Sequence, residues 1–345
     1  MDQGSASEMW TRLRWVGSAA LLVVSLLLPV FIRDNYALHV LILSAMYMAF
    51  SLSFDIAAGH VGTISLAHPV FFGLGAYVAA ILGISLNSPF WLNMLVSTIL
   101  ALSLAVFMGM FAFRLADLSF AVATLGLALT AQLVALNWVD LTGGPMCTRG
   151  VPRPSLLLGQ GNPIYLSSPT AYFYLFACFD ILVGGLYIYT TTGRLGRTFT
   201  AIRNDEVLAS TMGINIVRYK RLAFFIGAGI AGATGSLWAQ YITVVCPDYL
   251  GIAYTNTLLI IVFVGGAGSF FGVVAGAFLL TVVPEILRIA PQIRLILYGM
   301  LLLVMVVALP NGIAGAISSL TRGKPRRWAD PSRPADPPAP RTDEA

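Results

Sequence analysis

Between residues 16 and 309 the chain is a succession of apolar stretches, each about as long as a bilayer is thick and nearly free of charge. A helix of about 20 apolar residues spans the hydrocarbon core, and lipid tolerates only segments that satisfy their own backbone hydrogen bonds. The expected fold is therefore all-α: a polytopic membrane protein of about ten transmembrane helices. Of the 345 residues, 58% are hydrophobic and 10% charged, against about 25% charged in soluble domains.

The spans are predicted at 16–32, 36–54, 61–84, 91–113, 118–137, 170–190, 222–242, a short 253–267, 270–287 and 293–309. No A-x-A cleavage site follows the first, so it reads as an uncleaved helix. The basic residues cluster at Arg12 and Arg14, in the segment 194–221, and in the tail after Arg322. Ten crossings place these clusters on one side with Arg114, which makes both termini cytoplasmic under the positive-inside rule. Only Arg33, Arg149, Arg153, Arg288 and Arg294 are then left outside. The resulting organisation is a cytoplasmic segment 1–15 and a transmembrane domain 16–309, followed by a cytoplasmic tail 310–345 expected to be disordered. The domain carries an outer loop 138–169 and an inner loop 191–221. The net charge of +5 follows from these loops and does not indicate nucleic acid.

Motifs for chemistry are few. The chain has no HExxH, no GxSxG and no His/Cys cluster, and its only Gly-Lys pair, Gly323-Lys324, is followed by Pro325 rather than completing a nucleotide loop. No metal site or cofactor is expected; any ATP must be bound by another polypeptide. Cys178 reads as a packing residue, whereas Cys147 and Cys246 both fall outside and leave a bridge open. His60 and His68 read as capping or packing residues. Asp55 and Asp117 lie near helix ends, within reach of water. Glu285 and Arg288 are three apart and can pair on one helix face. Asp180, near the middle of the sixth span, is either a protein-facing polar contact or part of a pathway.

Two segments are punctuated by glycine at the start of a helix: 59–77, with Gly59 and Gly62, and 265–277, with Gly265 and Gly266. Their similar texture suggests an inverted repeat, because the block of spans two to five begins outside and that of seven to ten begins inside. The outer loop turns tightly at Gly143-Gly144-Pro145 and suits docking of a soluble partner. In the inner loop Asn204 or Asp205 can cap a helix that brings Val207, Leu208, Met212 and Ile216 to one side and ends at Gly213. Anionic lipid could hold this basic, amphipathic loop as well as a protein partner could.

The stretches 59–77, 123–145, 196–220 and 265–277, in this order, resemble the permease subunits of ABC importers for branched-chain amino acids, in particular the second of their two unlike permeases. The resemblance implies an inverted-repeat fold forming half of a pore in the bacterial inner membrane. It further implies partnership with a second permease, two ATPase subunits that hydrolyse ATP, a periplasmic solute-binding protein and membrane lipid. It makes Arg203, Asp205, Glu206, Ala209 and Gly213 a coupling segment. Ala209 and Gly213 match the importer pattern Glu-Ala-Ala-x3-Gly, while Val207 and Leu208 stand at its first two positions and Glu206 lies one residue early. Ser65, Thr124, Asp180 and Thr257 would line the path, and Gly59, Gly62, Gly143, Gly144, Gly265 and Gly266 would break or pack helices. The substrate would be a branched-chain amino acid or a related small polar solute, urea and amides included. A secondary carrier with Asp180 as coupling carboxylate, or a lipid-acting membrane enzyme, are the competing classes.

Overall fold

A computed structural model describes residues 34–113, 115, 117–156, 164–165, 168–286, 299, 303 and 312–315. The predicted first span, residues 16–32, lies outside these residues, and the last, 293–309, almost entirely so. Eleven helices occur among the described residues: α1 Asn35–Ala58, α2 His68–Leu86, α3 Phe90–Ala112, α4 Asp117–Asn137, a short α5 Val139–Thr142, α6 Pro169–Thr192, α7 Arg194–Asn204, α8 Glu206–Thr211, α9 Ile216–Ile242, α10 Ile252–Gly265 and α11 Phe270–Ile286. Six of them are long and apolar enough to cross a membrane, and α10 and α11 are shorter apolar helices. Small antiparallel ladders join β1 Thr148–Arg149 to β4 Val244–Val245 and β2 Ser155–Leu156 to β3 Ile164–Tyr165.

The starts of these helices follow from local chemistry. The Asp34 side chain accepts from Tyr36 N and opens α1, the Asn215 side chain accepts from Arg218 N and opens α9, and prolines occupy the first turns of α2 and α6. Proline lacks an N–H to lose there, and its fixed φ suits the first turn.

Helix α9 is the central element and packs against α1, α2 and α3; α1 also packs against α6 and α11. Close approach depends on missing side chains. A Cβ on Gly75 of α2 would lie 2.0 Å from the Gly232 carbonyl oxygen, and one on Gly235 would lie 1.9 Å from that of Phe72. Membrane helices gain little from the hydrophobic effect against one another, so such backbone contact supplies the van der Waals attraction that holds them. By contrast α3 and α4 leave many large apolar side chains exposed, among them Phe107, Phe111, Leu118 and Leu133.

The bundle has two distinct ends. At one, Cys147 and Cys246 form a disulfide across 99 residues, and β1 pairs with β4 beside it. At the other, α7 and α8 form the basic loop. Residues 312–315, within the tail expected to be disordered, are helical. They lie against this second end, where a Cβ on Gly272 would come 2.9 Å from Ala314 Cβ.

Several boundaries depart from the sequence expectation. The third span, predicted from residue 61, becomes helical only at His68. Gly62 takes a left-handed φ of +85° and Pro69 follows His68, so the helix cannot be extended backwards. The seventh span starts six residues early, at Ile216, and takes in Arg218, Lys220 and Arg221. Cys178 is exposed rather than packed inside.

Candidate coupling and translocation site

Two stretches of non-helical backbone run into the bundle from opposite ends: 59–67 precedes α2 at the loop end, and 243–251 precedes α10 at the disulfide end. Irregular backbone inside a membrane protein must find partners in the protein itself. The Leu66 peptide does so on both sides: its N–H donates to Thr124 Oγ1 of α4 at 3.1 Å, and its carbonyl accepts from Thr255 Oγ1 of α10 at 3.0 Å. Residues Pro247–Leu250 form a 3-10 turn packed against α2 and α4, and Tyr249 and Tyr254 contact the ring of Phe72. Both unwound stretches thus converge on α2, α4 and α10.

This arrangement corrects the reading of the repeat. The glycine segments at 59 and 265 lie at the same end and touch each other, so they are not equivalents of one another. The counterparts are 59–67 and 243–251, because α1 and α9 run in opposite senses and each leads into an unwound stretch and then a shorter helix. Shared glycine content reflected a common need for close approach.

At the loop end the glycine breaks close over a buried carboxylate. Asp55, expected within reach of water, is fully buried. Its Oδ1 accepts from Gly268 N at 2.9 Å and its Oδ2 from the Tyr187 hydroxyl of α6 at 2.5 Å. His60 Nε2 lies 2.9 Å from the same hydroxyl. A Cβ on Gly59 would sit 1.9 Å from Asp55 Oδ1 and 2.5 Å from Gly268 N, so only glycine permits this junction. Arg203, in the last turn of α7, donates through Nη1 to the Gly59 carbonyl and, at 3.4 Å, to that of Ala267. One side chain of the basic loop thereby holds both breaks. Gly268 falls within the glycine segment singled out in the sequence, but Tyr187 does not stand out; a tyrosine in an apolar span gives no signal until its partner is known.

The loop itself is two helices, not one. Helix α7 buries Gly196, Phe199 and Ile202 along one face. Asp205, rather than Asn204, caps α8 by accepting from Leu208 N at 2.9 Å. Helix α8 has only six residues, so Ile216 does not share a side with Val207 and Leu208 as expected; it opens α9. Ala209 is buried, while Val207, Leu208 and Met212 are exposed by 75%, 59% and 78% at the tip. Gly213 turns the chain at φ +81°. Glu206 pairs with Lys220 of α9 at 2.5 Å, which fastens the tip to the bundle.

The other predicted path residues do not form one group. Ser65, next in sequence to Leu66, is buried, its hydroxyl lacking a hydrogen-bond partner among the described residues. Thr257 returns its hydroxyl to Ala253 of its own helix. Asp180 is buried on α6, which packs on α1, and its Oδ1 has no hydrogen-bond partner among the described residues. His68 is buried beside Phe50 and Phe54 and lies 2.8 Å from Ser53 Oγ. Glu285 accepts from the Tyr36 hydroxyl, and Arg288 lies outside the described residues. Gly143 and Gly144 have left-handed φ values at the turn after α5, and Gly266 at the end of α10. Gly265 packs against Gly272 of α11.

Unwound stretches within an apolar helix bundle, with a basic, apolar-tipped loop held at one end, are the features of a membrane permease. Residues 36–309 match the family described as branched-chain amino acid transport system / permease component. The chain belongs to that family and is a multi-pass permease subunit of an ABC importer. It is 28% identical over 313 residues to the high-affinity branched-chain amino acid transport system permease protein LivM of Escherichia coli K12, covering 85% of this chain and 73% of the relative. It is 26% identical over 289 residues to LivH of Salmonella typhimurium LT2, covering 79% and 92%. The autoinducer 2 import system permease protein LsrC of Enterobacter sp. strain 638 is 29% identical over 222 residues, covering 61% and 60%. No solved structure matches the chain. Family membership sets aside the secondary carrier and the lipid-acting enzyme.

Proposed function

We propose that this chain forms half of a heteromeric pore in a bacterial inner membrane, with both termini and the basic loop cytoplasmic. It imports a branched-chain amino acid or a similar small polar solute. A second, unlike permease completes the pore, a periplasmic binding protein delivers the solute at the disulfide end, and two ATPase subunits grip the loop. ATP is bound and hydrolysed by those subunits, not by this chain. The disulfide supports the orientation, since such bonds persist on the oxidising side of the membrane.

The observation that carries this reading is the tip formed by Val207, Leu208 and Met212. Three exposed apolar side chains, two on a capped six-residue helix and Met212 just after it, held by Glu206–Lys220, are suited to a cleft in a soluble protein. Asp205, Ala209 and Gly213 shape the tip, and Arg203 transmits its movement. Gly213→Val would force a β-branched residue to φ +81°, at a cost of about 1–3 kcal/mol, and misdirect the tip. In proteoliposomes holding all subunits and the binding protein, G213V should insert normally yet lose ATP-driven leucine uptake and the ATPase stimulation. Wild-type rates in G213V, or leucine uptake by this chain alone without nucleotide, would overturn the proposal.

A further inference from the structure

A cavity of about 680 Å³ opens where α7 meets the start of α9, lined by Leu195, Asn215, Arg218, Tyr219, Arg221 and Phe225. A second, of about 400 Å³, lies farther along α9 between α3 and α6, and Leu102, Phe179, Val183, Gly229 and Ala233 are among its walls. Phe225 lines both, so the two cavities adjoin, a basic mouth beside an apolar floor. The chemistry of the mouth is incomplete: Arg221 Nε is buried and has no hydrogen-bond partner among the described residues. On the loop, Glu206 is engaged by Lys220 and Asp205 caps α8. The mouth also surrounds the N-terminal turn of α9, where the helix dipole favours an anion. From Arg221 to Ala233 the helix rises about 18 Å, close to half of the roughly 30 Å hydrocarbon core.

We propose that the adjoining cavities bind one anionic phospholipid, its phosphate at Arg218 and Arg221 and one acyl chain laid along α9 towards Ala233. A free phosphate would use the mouth and leave the apolar floor unfilled. A zwitterionic lipid would bring its own ammonium group towards two guanidinium groups, so the charge of the mouth selects an anionic headgroup. Gly229 keeps the floor open, since a Cβ there would already stand 3.1 Å from Leu102. The inference needs only that the chain spans a membrane, so it stands or falls separately from the transported solute and the ATPases.

The test is native mass spectrometry and thermal melting of the full chain, purified from membranes in mild detergent with whatever subunits accompany it. Phosphatidylglycerol, phosphatidylethanolamine and inorganic phosphate are the probes. One phosphatidylglycerol per chain should be retained and should raise the melting temperature, with a preference of about tenfold or more over phosphatidylethanolamine. Arg218→Gln with Arg221→Gln should remove that preference, and Arg221→Lys should keep most of it. Gly229→Leu, which leaves the charges in place, should weaken lipid retention by narrowing the floor. Equal retention of the two lipids overturns the proposal, as does stabilisation by inorganic phosphate equal to that by phosphatidylglycerol. So does a photo-crosslinker at Leu182, which also lines the second cavity, that labels a companion permease instead of lipid. If the double arginine variant does not fold, unchanged lipid retention in a folded Gly229→Leu chain overturns it equally.

Discussion

Arg203→Ala should lower solute uptake by tenfold or more while the chain still inserts and assembles. The guanidinium joins the loop to both glycine breaks, through the carbonyls of Gly59 and Ala267. Hydrogen bonds with one charged partner contribute about 1.5–3 kcal/mol each, and a loss of about 1.4 kcal/mol in the coupling between states is already tenfold. Alanine removes both bonds without touching the exposed tip of α8, so the ATPases should still bind. Their hydrolysis should continue with little import, an uncoupled phenotype distinct from that of G213V. Arg203→Lys retains the charge but not the planar fork, and should fall between wild type and alanine. Parallel measurement of uptake and ATP hydrolysis in proteoliposomes decides it; full uptake with alanine would mean that the loop moves the bundle by another route.

The second large effect is expected at the disulfide. Cys147→Ser or Cys246→Ser opens a closed loop of 99 residues, and removal of such a bridge costs about 2–5 kcal/mol. What remains at that junction is backbone: the short β1–β4 ladder, and Gly150 N and Val151 N donating to the Thr243 carbonyl at 3.2 and 3.3 Å. The melting temperature of the detergent-solubilised chain should drop clearly in either variant, and a reductant should reproduce the drop in wild type only. Because the bridge ties the loop 138–169 to the unwound stretch 243–251, solute uptake with the proposed binding protein should fall at temperatures where the variant remains folded. An unchanged melting temperature would show that the ladder alone holds the loop.

The difference between these two predictions tracks how each feature could be read. Cys147 and Cys246 were visible as a possible pair on one side, but a bridge requires two Cα atoms to come within reach, here 4.5 Å, and spacing does not report that. The Asp55 cluster was less legible still. Its partners stand 132 and 213 residues away, at Tyr187 and Gly268, and a carboxylate near a helix end has no local mark of burial. The glycine segments were visible, yet their resemblance pointed to symmetry when the actual relation was contact. The loop reads in the sequence as one capped amphipathic helix, whereas its division into α7 and α8 depends on Asp205 taking up Leu208 N.

The existence and order of the spans within the described residues were legible in the amino-acid order alone, though not their ends. A helix in lipid satisfies its backbone within about twenty consecutive residues, so its existence is a local property. Which broken ends meet was decided only in three dimensions. The same holds for the carboxylate they enclose and for the arginine that bridges their carbonyls. Those are pairings between segments far apart in the chain, and their free energy does not exist until the helices have packed.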